Sequence, residues 1–325
     1  MKALLCNHYG PPESLVIGDL REPVAGPGEA VVDVHFAGLN FFDTLIIEGK
    51  YQVRPAMPFS PCGEFSGIVS ALGPGVTGLR TGDRVAGYCG FGAARQRLAC
   101  PADRLVVLPP ALSLEKAAGL IVTYATSLHA LRQRADLRKG ETLAVLGASG
   151  GVGIAAVEIG HLMGARVIAC ASSQEKLAFA RRMGASEGVD YATSSLKDEL
   201  KRLTGGQGID VVYDPVGGDL TEAALRALAW KGRLLVIGFA AGPIPKLPLN
   251  LVLLKGCDVR GVFWGDFVRR EPELNQANMV QIFDWAAGGT LNAHVHAILP
   301  LEQAAEALGL LANRQAQGKV LLALQ

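Results

Sequence analysis

The stretch Leu143-Ala-Val-Leu-Gly147-Ala148-Ser149-Gly150-Gly151-Val152-Gly153 constrains the fold more than any other part of this chain, because an apolar strand runs there through a glycine-rich turn into a helix of small residues. From Ala148 to Gly153 it reads A-x-G-x-x-G. The turn must be tight, Gly150 lets the backbone approach a pyrophosphate, and Gly153 lets the helix pack on the strand. Free N–H groups and the positive end of the helix dipole then face the phosphates. A glycine triplet alone is often only a turn. Here a strand precedes it, a helix follows and a second strand comes at the right distance, so Ala148, Ser149, Gly150, Gly151, Val152 and Gly153 are read as a dinucleotide site.

The second strand ends in Cys170-Ala171-Ser172-Ser173, about 20 residues past the glycines, where an NAD site places a carboxylate against the ribose 2′-OH. No acid stands there. Ser172 and Ser173 offer hydrogen bonds and Lys176 offers positive charge, a set suited to a 2′-phosphate that a carboxylate would repel. NADP(H) is the expected cofactor. The bland reading of the same residues is a helix N-cap and a surface lysine.

Around this motif, short apolar strands (142–146, 166–170, 210–213, 234–237) alternate with helical patterns (152–163, 174–183, 196–203, 220–230), the βαβ signature of a parallel sheet. The first 110 residues differ: they hold 11 of the 17 prolines, and β-like runs at 30–36, 67–72, 84–86 and 104–107 alternate with Pro/Gly punctuation. A last helical pattern (301–313) is followed by the strand KVLLAL, which is expected to return to the first domain. The chain therefore reads as α/β: a Rossmann-type doubly wound parallel sheet at 119–294, and a β-rich domain formed by 1–118 with 295–325. With no long polar linker, the two are expected to share an extensive interface with a cleft.

Composition narrows the partners. Thirty-one basic against 30 acidic residues give a net charge of +1, which supplies no field to attract nucleic acid or anionic lipid. The six scattered cysteines form no disulfide framework, and the N-terminus MKALLCNHYGPP has no apolar targeting core. Every extended apolar stretch meets a charge before about 18 residues, so no membrane span is expected and a cytoplasmic location fits.

Further motifs in order carry a resemblance: Ala37-Gly-Leu-Asn-Phe-Phe-Asp43, Gly82-Asp-Arg-Val85, the GASGGVG turn, Tyr213-Asp-Pro-Val-Gly-Gly218 and Val236-Ile-Gly-Phe239. Over nearly the whole length the chain resembles the zinc-independent, NADPH-dependent quinone oxidoreductases of the medium-chain dehydrogenase/reductase superfamily. The resemblance implies a GroES-like catalytic domain built from both termini, a nicotinamide in the cleft beside it, and a homodimer joined through Rossmann edge strands at 253–263. The zinc alcohol dehydrogenases of that superfamily have a cysteine where this chain has Asn40, a histidine at Gly63 and another cysteine near Val122 and Thr123. Asp43 and Glu64 remain, but two carboxylates without soft ligands make a poor tetrahedral zinc site. Cys62-x-Glu64 and His294-x-His296 read as a buried thiol and a polar strand edge rather than as half-sites. No metal is expected.

Without a Lewis acid, electron-poor acceptors such as quinones or enones suit hydride transfer better than simple ketones. The resemblance presents Asn40 to the substrate as a donor to a developing oxyanion, with Asp43 orienting its neighbours. It matches Tyr51 to a tyrosine considered a proton donor in related enoyl reductases. It also assigns cofactor contact to Thr126, at the start of a helix behind the nicotinamide, and to Tyr191, Gly238, Phe239, Phe263, Trp264, Gly265 and Lys319. His129 reads as a helix-face residue rather than a base. Two rivals stay open: an NADPH-dependent enone or enoyl-thioester reductase, and an NADPH-binding regulatory or structural protein.

Overall fold

The computed structural model describes all 325 residues, which fall into two compact units: Met1–Val122 with Met279–Gln325, and Thr123–Asn278. The chain opens with β1 (Lys2–Leu5), paired antiparallel to β2 (Val16–Asp19). The long β3 (Glu29–Leu39) leads into α1 (Phe41–Ile47), β4 (Glu64–Leu72), β5 (Arg84–Tyr88), β6 (Arg97–Pro101), β7 (Leu105–Val107) and α2 (Leu114–Leu128). Ser113 starts α2, its Oγ accepting the Lys116 N–H at 3.3 Å and its carbonyl the Ala117 N–H at 3.0 Å. The division between the units falls inside this helix.

The second unit runs β8 (Thr142–Leu146), α3 (Gly151–Leu162), β9 (Arg166–Ala171), α4 (Gln174–Arg182), β10 (Glu187–Asp190), α5 (Leu196–Leu203), β11 (Ile209–Asp214), α6 (Asp219–Ala227), β12 (Leu228–Val236), α7 (Leu249–Lys255), β13 (Asp258–Gly261), α8 (Trp264–Arg270) and α9 (Pro272–Ala287). Its strands form one parallel sheet in the order β10-β9-β8-β11-β12-β13, the doubly wound Rossmann arrangement. All five residues of β8 are buried, as a central parallel strand covered on both faces requires. Ile168, Cys170, Val212, Leu225 and Leu234 fill the core beside it.

The chain ends with β14 (Val295–Pro300), α10 (Ala304–Ala312) and β15 (Lys319–Ala323). β15 lies between β14 and β3 in a sheet ordered β14-β15-β3-β4-β5-β7, with β6 also on β3. Val320 pairs with Leu39, and this register sets Lys319 beside Asn40. The core of the first unit gathers Val32, Leu39, Ile47, Phe65, Leu308 and Leu322.

Two expectations need correction. The helix read at 220–230 stops at Ala227, since Leu228 already pairs with Ile209 of β11; tertiary pairing overrides the helix propensity of Leu-Ala-Trp. The helix read at 301–313 begins as a 3₁₀ turn at Leu301–Gln303 and becomes α-helical only from Ala304. The second division between the units lies within α9, after Asn278.

Candidate functional site

Gly150 caps α3, and the N–H groups of its first turn have no intrahelical acceptor. The backbone closes the turn through Gly150 N–H to Gly147 O at 3.0 Å, and Ala148 N–H reaches Cys170 O of β9 at 3.1 Å. A Cβ on Gly153 would stand 2.2 Å from the Gly147 carbonyl oxygen, so only glycine lets α3 approach β8. A Cβ on Gly150 would meet only Gly147 O, at 3.5 Å; the space beyond is open, as a pyrophosphate needs. Ser127 Oγ supports the turn from behind, within hydrogen-bond distance of Val152 O at 3.1 Å and of Tyr213 Oη at 2.9 Å.

Ser172, Ser173 and Lys176, expected at the 2′-phosphate, follow β9, and Tyr191, expected to contact the cofactor, follows β10. Tyr191 N–H donates to Ala171 O at 3.1 Å, and Lys176 Nζ lies 3.3 Å from Ser172 Oγ on the exposed surface. Ser173 caps α4 by accepting the Lys176 N–H at 3.3 Å, so its hydroxyl serves the helix as well.

The remaining cofactor candidates are less uniform. Gly238 and Phe239 follow β12, with Phe239 exposed and the Gly238 N–H directed to Asp214 O at 3.4 Å. Phe263 is exposed at the start of α8 and Gly265 lies within that helix, whereas Trp264 is buried and its indole N–H donates to Asn275 Oδ1 at 3.1 Å. Thr126 is buried and sits near the end of α2 rather than at a helix start, because Ser113 begins that helix much earlier. His129 opens a π-helical segment, His129–Arg134, and stacks on Phe267 with ring centroids 3.8 Å apart. Burial holds its imidazole below the usual range, in keeping with a packed residue.

In the first unit a polar cluster is built on α1, β4 and β15. Asn40 caps α1, and its backbone N–H donates to Asp43 Oδ2 at 2.8 Å. Asp43 is fully buried and also accepts the Cys62 N–H, at 3.2 Å. Burial pushes its carboxyl up to about 7, against the opposing pull of the Asn40 N–H and Lys319. Asn40 Nδ2 donates to Glu64 Oε1 at 2.8 Å, and Lys319 Nζ donates to the same oxygen at 2.6 Å. Lys319 is thus turned inward: the register of β15 buries the ammonium against Glu64.

Tyr51 packs against Phe42, with ring centroids 5.6 Å apart. Burial, with Asp43 adding to it, raises its phenol above the ordinary range, so it stays protonated at neutral pH. Glu64 is the member that sequence reading left without a role. An acid and a lysine, each opening a largely apolar strand, are the signal in the sequence that one neutralises the other. At Gly63 a Cβ would fall 2.8 Å from Gly90 O, so no side chain fits there. Burial holds the Cys62 thiol well above its usual range. His294 gives its backbone carbonyl to the Lys319 N–H at 3.2 Å. No group of three or more His, Cys, Asp and Glu side chains is placed to hold a metal ion.

Comparison with known proteins gives this geometry a context. Residues 26–110 match the alcohol dehydrogenase GroES-like domain, and 151–281 match the zinc-binding dehydrogenase family. The chain is 38% identical to quinone oxidoreductase-like protein 2 of Rattus norvegicus, over 100% of its own length and 92% of the rat protein. It is 34% identical to a quinone oxidoreductase of Pseudomonas aeruginosa, over 97% of each. The crystal structure of Escherichia coli quinone oxidoreductase complexed with NADPH superimposes with a TM-score of 0.93 at 29% identity, covering 99% of this chain and 100% of that one. A Rossmann unit with its glycine turn, a GroES-like unit with a buried polar cluster, and full-length similarity at this level place the chain in the quinone oxidoreductase family of the medium-chain dehydrogenase/reductase superfamily.

Proposed function

We propose that this chain is an NADPH-dependent oxidoreductase that reduces a quinone or a similarly electron-poor acceptor without a metal. The observation that carries the reading is the Asn40 cluster. Where a zinc enzyme needs soft ligands, this chain has a carboxamide, a glycine position with no room for a side chain, and a carboxylate already neutralised by a lysine. NADPH supplies the hydride. The turn at Ala148–Gly153 binds its pyrophosphate, and Ser172, Lys176 and Tyr191 hold the adenosine side. The backbone at Gly238 and Phe263–Gly265, with Thr126 and Phe239, lines the nicotinamide half. The Asn40 amide donates to the acceptor oxygen as charge develops there, the main stabilisation left to a site without a Lewis acid. A second reading makes the acceptor an enone, with Tyr51, which the resemblance matches to a proton donor, protonating the carbon left after hydride addition.

The deciding experiment measures NADPH oxidation against quinones, enones and enoyl thioesters, with metal analysis of the same sample. Turnover with quinones in metal-free protein is the expected result; stoichiometric zinc, or no turnover with any acceptor despite tight NADPH binding, would overturn it. Replacing Lys176 by alanine should raise the KM for NADPH roughly tenfold and leave that for NADH unchanged, as loss of one charge-assisted phosphate contact predicts.

We also infer a homodimer. β13 is the outer strand of the parallel sheet, and Trp230, Leu253 and Leu254 near that edge are 69%, 80% and 70% exposed. An unpaired edge beside so much apolar surface is a site for a second copy. Leu253→Glu with Leu254→Glu should convert a dimer to a monomer in light scattering.

A further inference from the structure

Lys319 has three ammonium protons and three acceptors: Leu39 O at 2.7 Å, Asn40 Oδ1 at 2.9 Å and Glu64 Oε1 at 2.6 Å. Glu64 is engaged as fully. Its Oε1 also accepts from Asn40 Nδ2 at 2.8 Å, and its Oε2 accepts the Val122 N–H at 2.7 Å. Opposite charges therefore hold the two ends of one carboxamide.

Turning that amide over would set its NH₂ against an ammonium and its oxygen against a carboxylate. Lys319 is 3% and Glu64 0% exposed, so no water is at hand to relieve either clash. Only one orientation survives. It satisfies Oδ1 and one Nδ2–H, and leaves the second Nδ2–H with no acceptor in the protein.

The geometry points to Lys319 and Glu64 as positioning residues that fix the Asn40 amide in one of its two orientations and aim its remaining N–H at the acceptor oxygen. Lys319 adds a second effect: its charge on Oδ1 polarises the amide and makes that N–H a stronger donor. The buried cation thus acts on the acceptor through the amide, without touching it. This rests on the reading of Asn40 as the oxyanion donor.

A double-mutant cycle on NADPH oxidation, with 1,4-benzoquinone as acceptor, tests it. The variants are Asn40→Ala, the pair Lys319→Met with Glu64→Gln, and all three together. The paired change removes both charges at once, so neither is left buried alone, and thermal unfolding checks its fold. The expected result is a kcat lowered roughly tenfold or more, an NADPH KM within about twofold of wild type, and no further loss once Asn40 is alanine. Equal losses with and without the Asn40 side chain would overturn the positioning role and leave the donor reading intact. Wild-type turnover by Asn40→Ala would instead sink the donor reading, and the positioning role with it.

Where the variants do not fold, the wild-type protein labelled with ¹⁵N-asparagine answers the same question. The Asn40 side-chain amide should give one proton protected from exchange and one that shifts when hydroquinone is added. Two protons that exchange alike and ignore hydroquinone would refute the assignment.

Discussion

At Gly147–Gly153 the protein presents backbone: the turn works because side chains are missing, and its hydrogen bonds reach no further along the chain than Ser127 and Cys170. At Asn40, Glu64 and Lys319 it presents side chains, joined across 255 residues of chain between Glu64 and Lys319 and sealed from water. The first arrangement is local and tolerant of what surrounds it. The second exists only when two distant strands, β4 and β15, both lie in register with β3. A glycine turn is therefore sensitive to added volume, and the polar cluster to any change that leaves a charge without its partner.

The largest effect should come from Lys319→Met alone. It strands Glu64 as a buried carboxylate and should cost about 3–5 kcal/mol in urea unfolding, the range for breaking one half of a buried pair. A loss under about 1 kcal/mol, the value of a surface pair, would mean that the cluster is no more sensitive to a lost partner than the protein surface.

Next is Gly153→Ala. Its Cβ would overlap the Gly147 carbonyl, so α3 must shift; about 1–3 kcal/mol of stability and roughly tenfold in NADPH dissociation constant should go together. A weakened Kd with an unchanged unfolding midpoint would show that the glycine serves the ligand and not the helix packing.

The smallest net effect at neutral pH should belong to Asp43→Asn. The replacement loses one of two acceptors for backbone N–H groups, worth about 1–3 kcal/mol, but it also removes a carboxylate that burial disfavours. The native carboxyl keeps its proton to about pH 7, while the unfolded one releases it near 3.8. Between those values the folded chain binds more protons, so stability from this group is full below the lower value and is lost as pH rises through the upper one. The gap in unfolding free energy between wild type and Asp43→Asn should therefore narrow from pH 4 to pH 7. A gap independent of pH would mean that Asp43 is ionised throughout.

The same contrast explains what was legible in the sequence. The turn at Ala148–Gly153 and the Ser172/Lys176 pair could be read because each signal is local: glycines at fixed offsets, and a missing acid at a known distance. Lys319 could not be placed from its neighbours, since its partners depend on which strand β15 joins and in what register. A one-residue slip there would turn the lysine to the other face. The place of Thr126 in its helix is not legible from the local motif, because that helix is set by a cap at Ser113, well upstream of it. Likewise Leu228-Ala-Trp230 has good helix formers and nothing nearby to announce the parallel partner that makes it strand.

The late position of β15 also bears on synthesis. Asn40 and Glu64 leave the ribosome first, and at about 5–20 residues per second the 255 residues that separate Glu64 from its cation take roughly 13–50 s to follow. Until then the nascent sheet holds an uncompensated acid and lacks a strand, so its amino-terminal half has reason to stay open to water, or to a chaperone, while the nucleotide-binding unit emerges.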